Sequence, residues 1–332
     1  SNRLRHTPPL FLLLLSIFTA KMSFQLERTY GLRAQHWYQP ETSLSDVAQN
    51  LFAASLPDGE TQQFLDNSNK IASNFFWQTV RNLGVMILST IYSKTDINGM
   101  TGFGNMFLFS ENQFAKFLAI EKESWNSTDK KVLDLGAGNG DITEHMRPFF
   151  EHVYATELSS KMRNRLSWKG YNVLSALEWA ETDVKFDLVT AFNLLDRHYS
   201  PGKLLNDLWN VARRSNCNVI VSLVLPVSHY VEFNPNGRST RPDNYLNVAG
   251  RTYADHVHHM IVNVFKPANF EVLRWTRLPY LCEGDMNNSA YYLPDAIFLL
   301  KPIEPESPSS TITQETTSVS QESTSHASHT DL

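Results

Sequence analysis

The chain has 332 residues, 42% of them apolar and 12% aromatic, with a formal charge of −5. That is enough for one large globular domain or two ordinary ones with a sizeable core, and the lack of a chain-wide basic field excludes nucleic acid as the expected partner. The two cysteines, Cys217 and Cys282, are too few for a disulfide framework or a cysteine zinc cluster; they leave open a single bridge and the redox compartment.

At the N-terminus Arg3, Arg5 and His6 precede the apolar run Leu10–Ala20, the layout of a secretory signal. The run is shorter than the roughly 20 residues that span a bilayer, so residues 1–22 read as a signal-like leader and no integral membrane span is expected. Phe18 stands where a small residue favours cleavage after Ala20. With the leader in use the chain goes to the endoplasmic reticulum or secretory pathway; with translation from Met22 the leader is absent and the mitochondrion or cytosol takes its place. The sequons at Asn126 and Asn287 are glycosylation candidates on the luminal route alone.

Residues 36–125 form an N-terminal helical layer with a glycine loop. Helical patterning covers 41–57, and a longer helical region over 60–92 carries Ile71, Phe75, Phe76, Val80, Leu83, Ile87, Leu88 and Ile91, mostly three or four apart. "DINGMTGFGN", Asp96 to Asn105, is a lid, a substrate wall or a plain connector. A short helix is predicted over Glu111–Ile120.

From Lys131 onward, short apolar runs alternate with helical stretches: "KVLDLGA", "HVYATEL", "YNVLSA", "FDLVTAFN" and "NVIVSLVLP". Alternation of this kind implies βα units and a parallel sheet. "FEVLRWTRLPYL" and "AIFLLKP" lack an intervening helix and predict an antiparallel pair closing the sheet edge. The α/β domain is assigned to 126–303, and the Ser-, Thr-, Gln- and Glu-rich stretch 304–332 reads as a disordered tail.

The stretch "VLDLGAGNGD", residues 132–141, runs from a strand into glycines at Gly136, Gly138 and Gly140. The spacing is G-x-G-x-G, not the G-x-G-x-x-G that seats a pyrophosphate. Asp134 at the strand end suits a ligand with an amino group and hydroxyls and repels phosphates. Glu157 in "YATELS" is placed to accept both ribose hydroxyls. Together these residues point to S-adenosylmethionine, with S-adenosylhomocysteine as product, and away from a nicotinamide dinucleotide. In "FDLVTAFNLLDR" the strand ends near Phe192, setting Asn193 and Asp196 at the carboxyl edge, where ligands of open α/β sheets bind. Spacing alone equally allows Asp196 to be a surface cap or an ion-pair partner of Arg197.

Two further clusters call for a reading. His256 and His259 in "DHVHH" fall three apart on the polar side of a helix whose apolar residues are Ile261, Val264 and Phe265. No further ligands complete a set, so no metal is assigned and the face is expected to be solvated. Glu283 and Asp285 in "CEGDM" either face a substrate or form an exposed turn.

On "DINGMTGFG", "LDLGAGNGD", "YATELS", "NLLDR", "LVLP" and above all "TRLPYLCEGDM", the chain from about Gln62 to Pro302 resembles the methyltransferase-like protein 9 (DREV) family. The resemblance implies a seven-strand, Rossmann-like methyltransferase fold and methyl transfer from S-adenosylmethionine to the N-pros (π) nitrogen of histidine. The targets it implies are His-x-His sequences of other proteins, with x small. By motif, cofactor contacts map onto Asp134, Gly136, Gly138, Gly140, Glu157, Asn193 and Tyr280. Asp196 falls at the family's acid near the target imidazole; Asn193 and Tyr292 fall on the substrate side. A monomer is expected. Asn139 departs from the acid the family carries in the loop, and "VSHYVE" departs from its histidine-proline form. His256-Val-His258 itself has the His-x-His form, which makes self-methylation a testable reading.

Chemistry agrees with this resemblance. Neutral imidazole is already a nucleophile near neutral pH and needs only the right tautomer. A carboxylate accepting Nτ–H frees the Nπ lone pair and stabilises the charge that develops on the ring; Asp196 is the candidate. Two alternatives stand beside this: methyl transfer to another nucleophile, such as a small molecule or a carboxylate, and a non-catalytic secretory-pathway binding protein that retains the fold.

Overall fold

The computed structural model describes residues 36–305 apart from 41–42, 75–77, 79–103, 232, 236–240 and 286. The leader, most of the second half of the 60–92 helical region, the glycine loop up to residue 103 and the tail from residue 306 lie outside the described residues. Among the described residues no helix is long and apolar enough to cross a membrane.

The short apolar runs become one mixed sheet. Its strands are β1 (Met106–Phe107), β2 (Lys131–Leu135), β3 (His152–Thr156), β4 (Asn172–Leu174), β5 (Leu188–Phe192), β6 (Asn218–Val224), β7 (Phe270–Glu283) and β8 (Ala290–Pro302). The order is β1-β7-β8-β6-β5-β2-β3-β4. Strands β2 to β6 pair in parallel, whereas β8 runs antiparallel to both β6 and β7. This is the seven-strand Rossmann-like methyltransferase order, with β1 added outside. The sequence led us to expect that the antiparallel pair closes the sheet edge; instead β8 is interior, between β6 and β7, and β1 takes the edge. Local pattern shows that two strands are antiparallel but not which of them is inserted.

Helices cover both faces, so the central strands are apolar on both sides; all of β5 is buried. Among the described residues they are α1 (Asp46–Asn50), α2 (Gly59–Ser73), α3 (Glu111–Leu118), α4 (Asp141–Met146), α5 (Ser160–Trp168), α6 (Pro201–Ser215) and α7 (Tyr253–His259), the last running into a π-helical turn, Met260–Phe265. Successive strand residues point to opposite faces. Leu133, Val189 and Val219 therefore pack with Leu204, Leu208 and Val211 of α6 and with Val257 of α7. Val132, Leu188 and Ile220 pack on the other side with Phe114 of α3, Met146 of α4 and Leu166 of α5.

Among the described residues of the helical stretch read over 41–57, only α1 is helical. Beyond it the backbone is taken by Trp275 of β7, whose N–H donates to Leu51 O (2.9 Å) and whose carbonyl accepts from Ala53 N (2.7 Å). The Trp275 indole donates to Ala48 O (2.6 Å), so these residues run beside β7 instead of coiling on. α3 opens with a capping box, Ser110 and Gln113 satisfying each other's backbone N–H groups. No disulfide joins Cys217 and Cys282.

Candidate active site

All of the site residues read from the sequence lie on elements that meet at the carboxyl edge of the parallel strands. The β2–α4 turn carries Gly136, Gly138 and Gly140 at φ of 69°, 57° and 80°, the left-handed region that side chains other than glycine enter at a cost. Its backbone is tied to the end of β3. Gly136 N donates to Thr156 Oγ1 (3.1 Å) and Gly138 N to Glu157 Oε2 (3.0 Å), while Ala137 N donates to Thr156 O (3.0 Å). The other Glu157 oxygen accepts from Leu158 N (2.7 Å) and Ser159 N (3.0 Å), which fixes the carboxylate against the loop.

The Asn139 departure has a local reason. Its Oδ1 accepts from Asp141 N (3.1 Å) and its Nδ2 donates to Asp141 Oδ2 (2.6 Å). An acid at 139 could not donate and would face the Asp141 carboxylate.

Asp134 is buried, and both of its oxygens are engaged inside the protein. Thr143 of α4 donates to Oδ2 (2.6 Å) and Thr190 of β5 to Oδ1 (2.7 Å). Burial pushes its pKa up to about 6 against the pull of these hydroxyls, with the Glu157 charge adding to the rise. The sequence cast Asp134 as a direct ligand contact; in the structure its bonds bind the glycine-loop strand to α4 and to β5.

Asn193 follows β5 in a left-handed turn, φ 50°, with its N–H donating to Ser222 O (2.9 Å). Asp196, three residues on, is buried at 7% exposure, which removes the surface-cap reading. Its carbonyl accepts from Tyr230 N (3.1 Å), so the loop after β6 is anchored to it. Beside them stands a residue that the sequence reading missed. Asp295 of β8 is fully buried and its Oδ2 accepts from Asn193 Nδ2 (2.8 Å) and Ser222 Oγ (3.1 Å). Burial pushes its pKa up to about 7; the Asn193 and Ser222 bonds oppose this and the neighbouring Asp196 charge adds to it. The one available signal was an acid inside an otherwise apolar strand, a position a carboxylate seldom takes without a partner.

β7 and β8 bring up the two tyrosines. Tyr280 is nearly buried, and its hydroxyl meets Met106 Sδ at 2.6 Å; burial raises its pKa. Tyr292 is half-buried and stacks on Trp37, ring centroids 4.7 Å apart. Glu283 is buried and accepts from Asn105 Nδ2 (2.9 Å). Asp285 organises the β7–β8 turn through Asn287 N, Asn288 N and the Tyr291 hydroxyl.

The solvated-face reading of "DHVHH" fails at His256, which is 7% exposed. Its Nδ1 accepts from Val227 N (2.9 Å) and its Nε2 lies 3.4 Å from Gly250 O. Burial lowers its pKa. The ring is thus a neutral tautomer holding the start of the loop that Tyr230 ties to Asp196. Among the described residues, Asp129, Glu151 and His152 bring possible metal-ligand atoms within 4.8 Å of one another; they lie at the amino ends of β2 and β3, away from this site.

The DREV methyltransferase family model matches residues 37–302. The chain belongs to the DREV methyltransferase family. It is also similar to ribosomal RNA small subunit methyltransferase A of Onion yellows phytoplasma (strain OY-M), 29% identical over 109 residues, which are 33% of this chain and 37% of that protein. The chain therefore spans little more than a third of the length of that curated relative. Among solved structures, magnesium protoporphyrin IX methyltransferase of Synechocystis PCC 6803 with bound SAH is 15% identical, over 58% of this chain and 81% of that one, with a TM-score of 0.35. An S-adenosylmethionine-dependent methyltransferase of Clostridium acetobutylicum ATCC 824 is 14% identical, over 70% and 100%, with a TM-score of 0.34.

Proposed function

We propose that this chain transfers a methyl group from S-adenosylmethionine to the N-pros nitrogen of histidine in His-x-His sequences of proteins, releasing S-adenosylhomocysteine and leaving 1-methylhistidine. Membership of a methyltransferase family and the shape of the glycine loop support the cofactor. A Cβ built on Gly138 would meet nothing within 4 Å, so a ligand has room to lie against the backbone there. Gly136, Gly138, Gly140, Glu157, Asn193 and Tyr280 are the residues that would hold it, on a loop whose strand Asp134 ties to α4 and β5. When bound, the cofactor supplies an electrophilic methyl group on a sulfonium.

The observation that carries the nucleophile is the polarity of the buried group beside that loop. Among the described residues Asn193 Oδ1 and Asp295 Oδ1 are buried acceptors without a hydrogen-bond partner, and Asp196 adds a carboxylate. Such a site favours a target that brings an N–H and leaves with positive charge; a carboxylate target would be repelled. In this reading Asp196 accepts the Nτ–H of a neutral imidazole and aims the Nπ lone pair at the methyl carbon. As the N–C bond forms and the S–C bond breaks, Asp196 stabilises the imidazolium and then takes its Nτ proton. Tyr292, backed by Trp37, forms the substrate-side wall. The enzyme acts as a monomer and not on nucleic acid; with the leader in use it works in the secretory pathway.

The test is transfer of labelled methyl to a His-Ala-His peptide and to one with those histidines replaced, with site-resolved mass spectrometry. Label on N-pros of the first peptide alone is expected; label on both, or on neither while the cofactor binds, overturns the reading. Asp196→Ala should lower kcat at least about 100-fold with little change in cofactor Kd, and equal losses in both would remove the role given to Asp196.

A further inference from the structure

A carboxamide has two nearly isosteric ends of opposite hydrogen-bonding sense. Half a turn about χ2 would make Asn193 present N–H donors where it now presents an oxygen. The Asn193 main chain, with its N–H on Ser222 O, leaves that choice open. Asp295 decides it, because its Oδ2 is the acceptor for both Ser222 Oγ (3.1 Å) and Asn193 Nδ2 (2.8 Å), and a carboxyl oxygen that carries no proton accepts whether or not the other oxygen is protonated. Asp295 is itself held in place: β8 sets it opposite Val224 of β6 and Leu278 of β7, and its carbonyl accepts from the Tyr253 hydroxyl (3.1 Å). An acid with no exposed surface is unfavourable as packing alone.

We propose that Asp295 is a positioning residue that locks the Asn193 carboxamide with Oδ1 as an acceptor at the carboxyl edge, so that the site stabilises ligands carrying positive charge and rejects ligands needing a donor there. This role rests on the proposed methyl transfer for its kinetic consequence and is independent of it for the orientation of the amide.

Asparagine at 295 offers its carbonyl oxygen in place of Oδ2, where both hydrogen bonds arrive; alanine offers nothing. The experiment compares the full chain with Asp295→Asn and Asp295→Ala, each labelled with 15N on asparagine, the Asn193 side-chain NH2 pair being identified by its loss in Asn193→Ser. The wild-type chain and Asp295→Asn should both show a shifted, exchange-protected Asn193 pair, because both offer an acceptor to its Nδ2, and Asp295→Asn should keep more of the kcat than Asp295→Ala. Asp295→Ala should lose the protection and about tenfold or more in kcat, as expected when one charge-assisted hydrogen bond goes. If the alanine chain does not fold, Asp295→Ser, too short to reach the carboxamide, takes its place. An unchanged Asn193 signal and rate without the carboxyl group, or Asp295→Asn failing as badly as Asp295→Ala, overturns the role. If no peptide is methylated even by the wild-type chain, the functional reading fails, and the Asn193 signal still decides the role of Asp295.

Discussion

Asp295→Asn should make the protein more stable, and increasingly so as pH rises. The acid is fully buried, and burial raises its pKa from an ordinary 3.8 to about 7. In the unfolded chain the carboxyl loses its proton near the lower value, while the folded protein holds it until the higher one. Between them the folded state binds more protons, so stability falls with rising pH across that window and stays low above it. About three pH units at about 1.4 kcal/mol each give a loss of about 4 kcal/mol in the wild-type chain. The variant escapes this loss, because the asparagine keeps both hydrogen bonds and has no charge to bury. Asp134 contributes equally to both proteins and cancels. Urea unfolding of the two chains at steps from about pH 4 to about pH 8 should give curves that coincide at the acid end, diverge through the window, and differ by up to about 4 kcal/mol above it. A difference that does not vary with pH, or a variant less stable than wild type at the alkaline end, refutes the reasoning.

The glycine loop separates stability from binding. At Gly140 an added Cβ would lie 2.9 Å from Leu166 Cδ2 and 3.1 Å from Tyr171 Cε2, so Gly140→Ala should cost about 2–4 kcal/mol in urea unfolding, strain and overpacking together. At Gly138 the space is open; Gly138→Ala should cost only about 1–2 kcal/mol of stability yet weaken cofactor binding more than about tenfold by calorimetry. The reverse ranking would move the ligand off Gly138. Tyr230 and Phe233 are 44% and 41% exposed on the loop tied to Asp196 and, through the Phe233 bridge, to His198. Replacing both by alanine should raise the peptide KM about 5- to 30-fold, as for truncated aromatic contacts at an interface, with kcat and cofactor Kd unchanged; an unaltered KM would exclude this loop as a peptide contact.

The parallel half of the sheet could be read from the chain because each βα unit is local: a buried apolar run, a turn and a helix follow one another within a few tens of residues. Glu157 and Asn193 could be placed for the same reason, each ending its strand. Asp295 could not, because its partner Asn193 lies 102 residues away and only the insertion of β8 beside β6 brings them together. The error at His256 is of the same kind. Helical spacing put it opposite Ile261, Val264 and Phe265, but the loop after β6 folds over that side and supplies Val227 N to its ring. Likewise, α1 stops at Asn50 because Trp275, more than 200 residues later, takes its continuing backbone.

That last pairing bears on how the chain is made. Synthesis runs from the N-terminus at about 5–20 residues per second, so Ala48, whose carbonyl meets the Trp275 indole 227 residues later, waits on the order of ten seconds or more for its partner. β7 emerges before β8 yet reaches β6 only through it. Until β8 is released, β6 is an open strand edge, β7 has no seat in the sheet, and Leu51 and Ala53 lack a seated Trp275 to pair with. One late strand thus completes the sheet, seats the N-terminal cover and delivers Asp295 to Asn193, so a nascent chain halted before Ala290 would be exposed to aggregation and without a finished site.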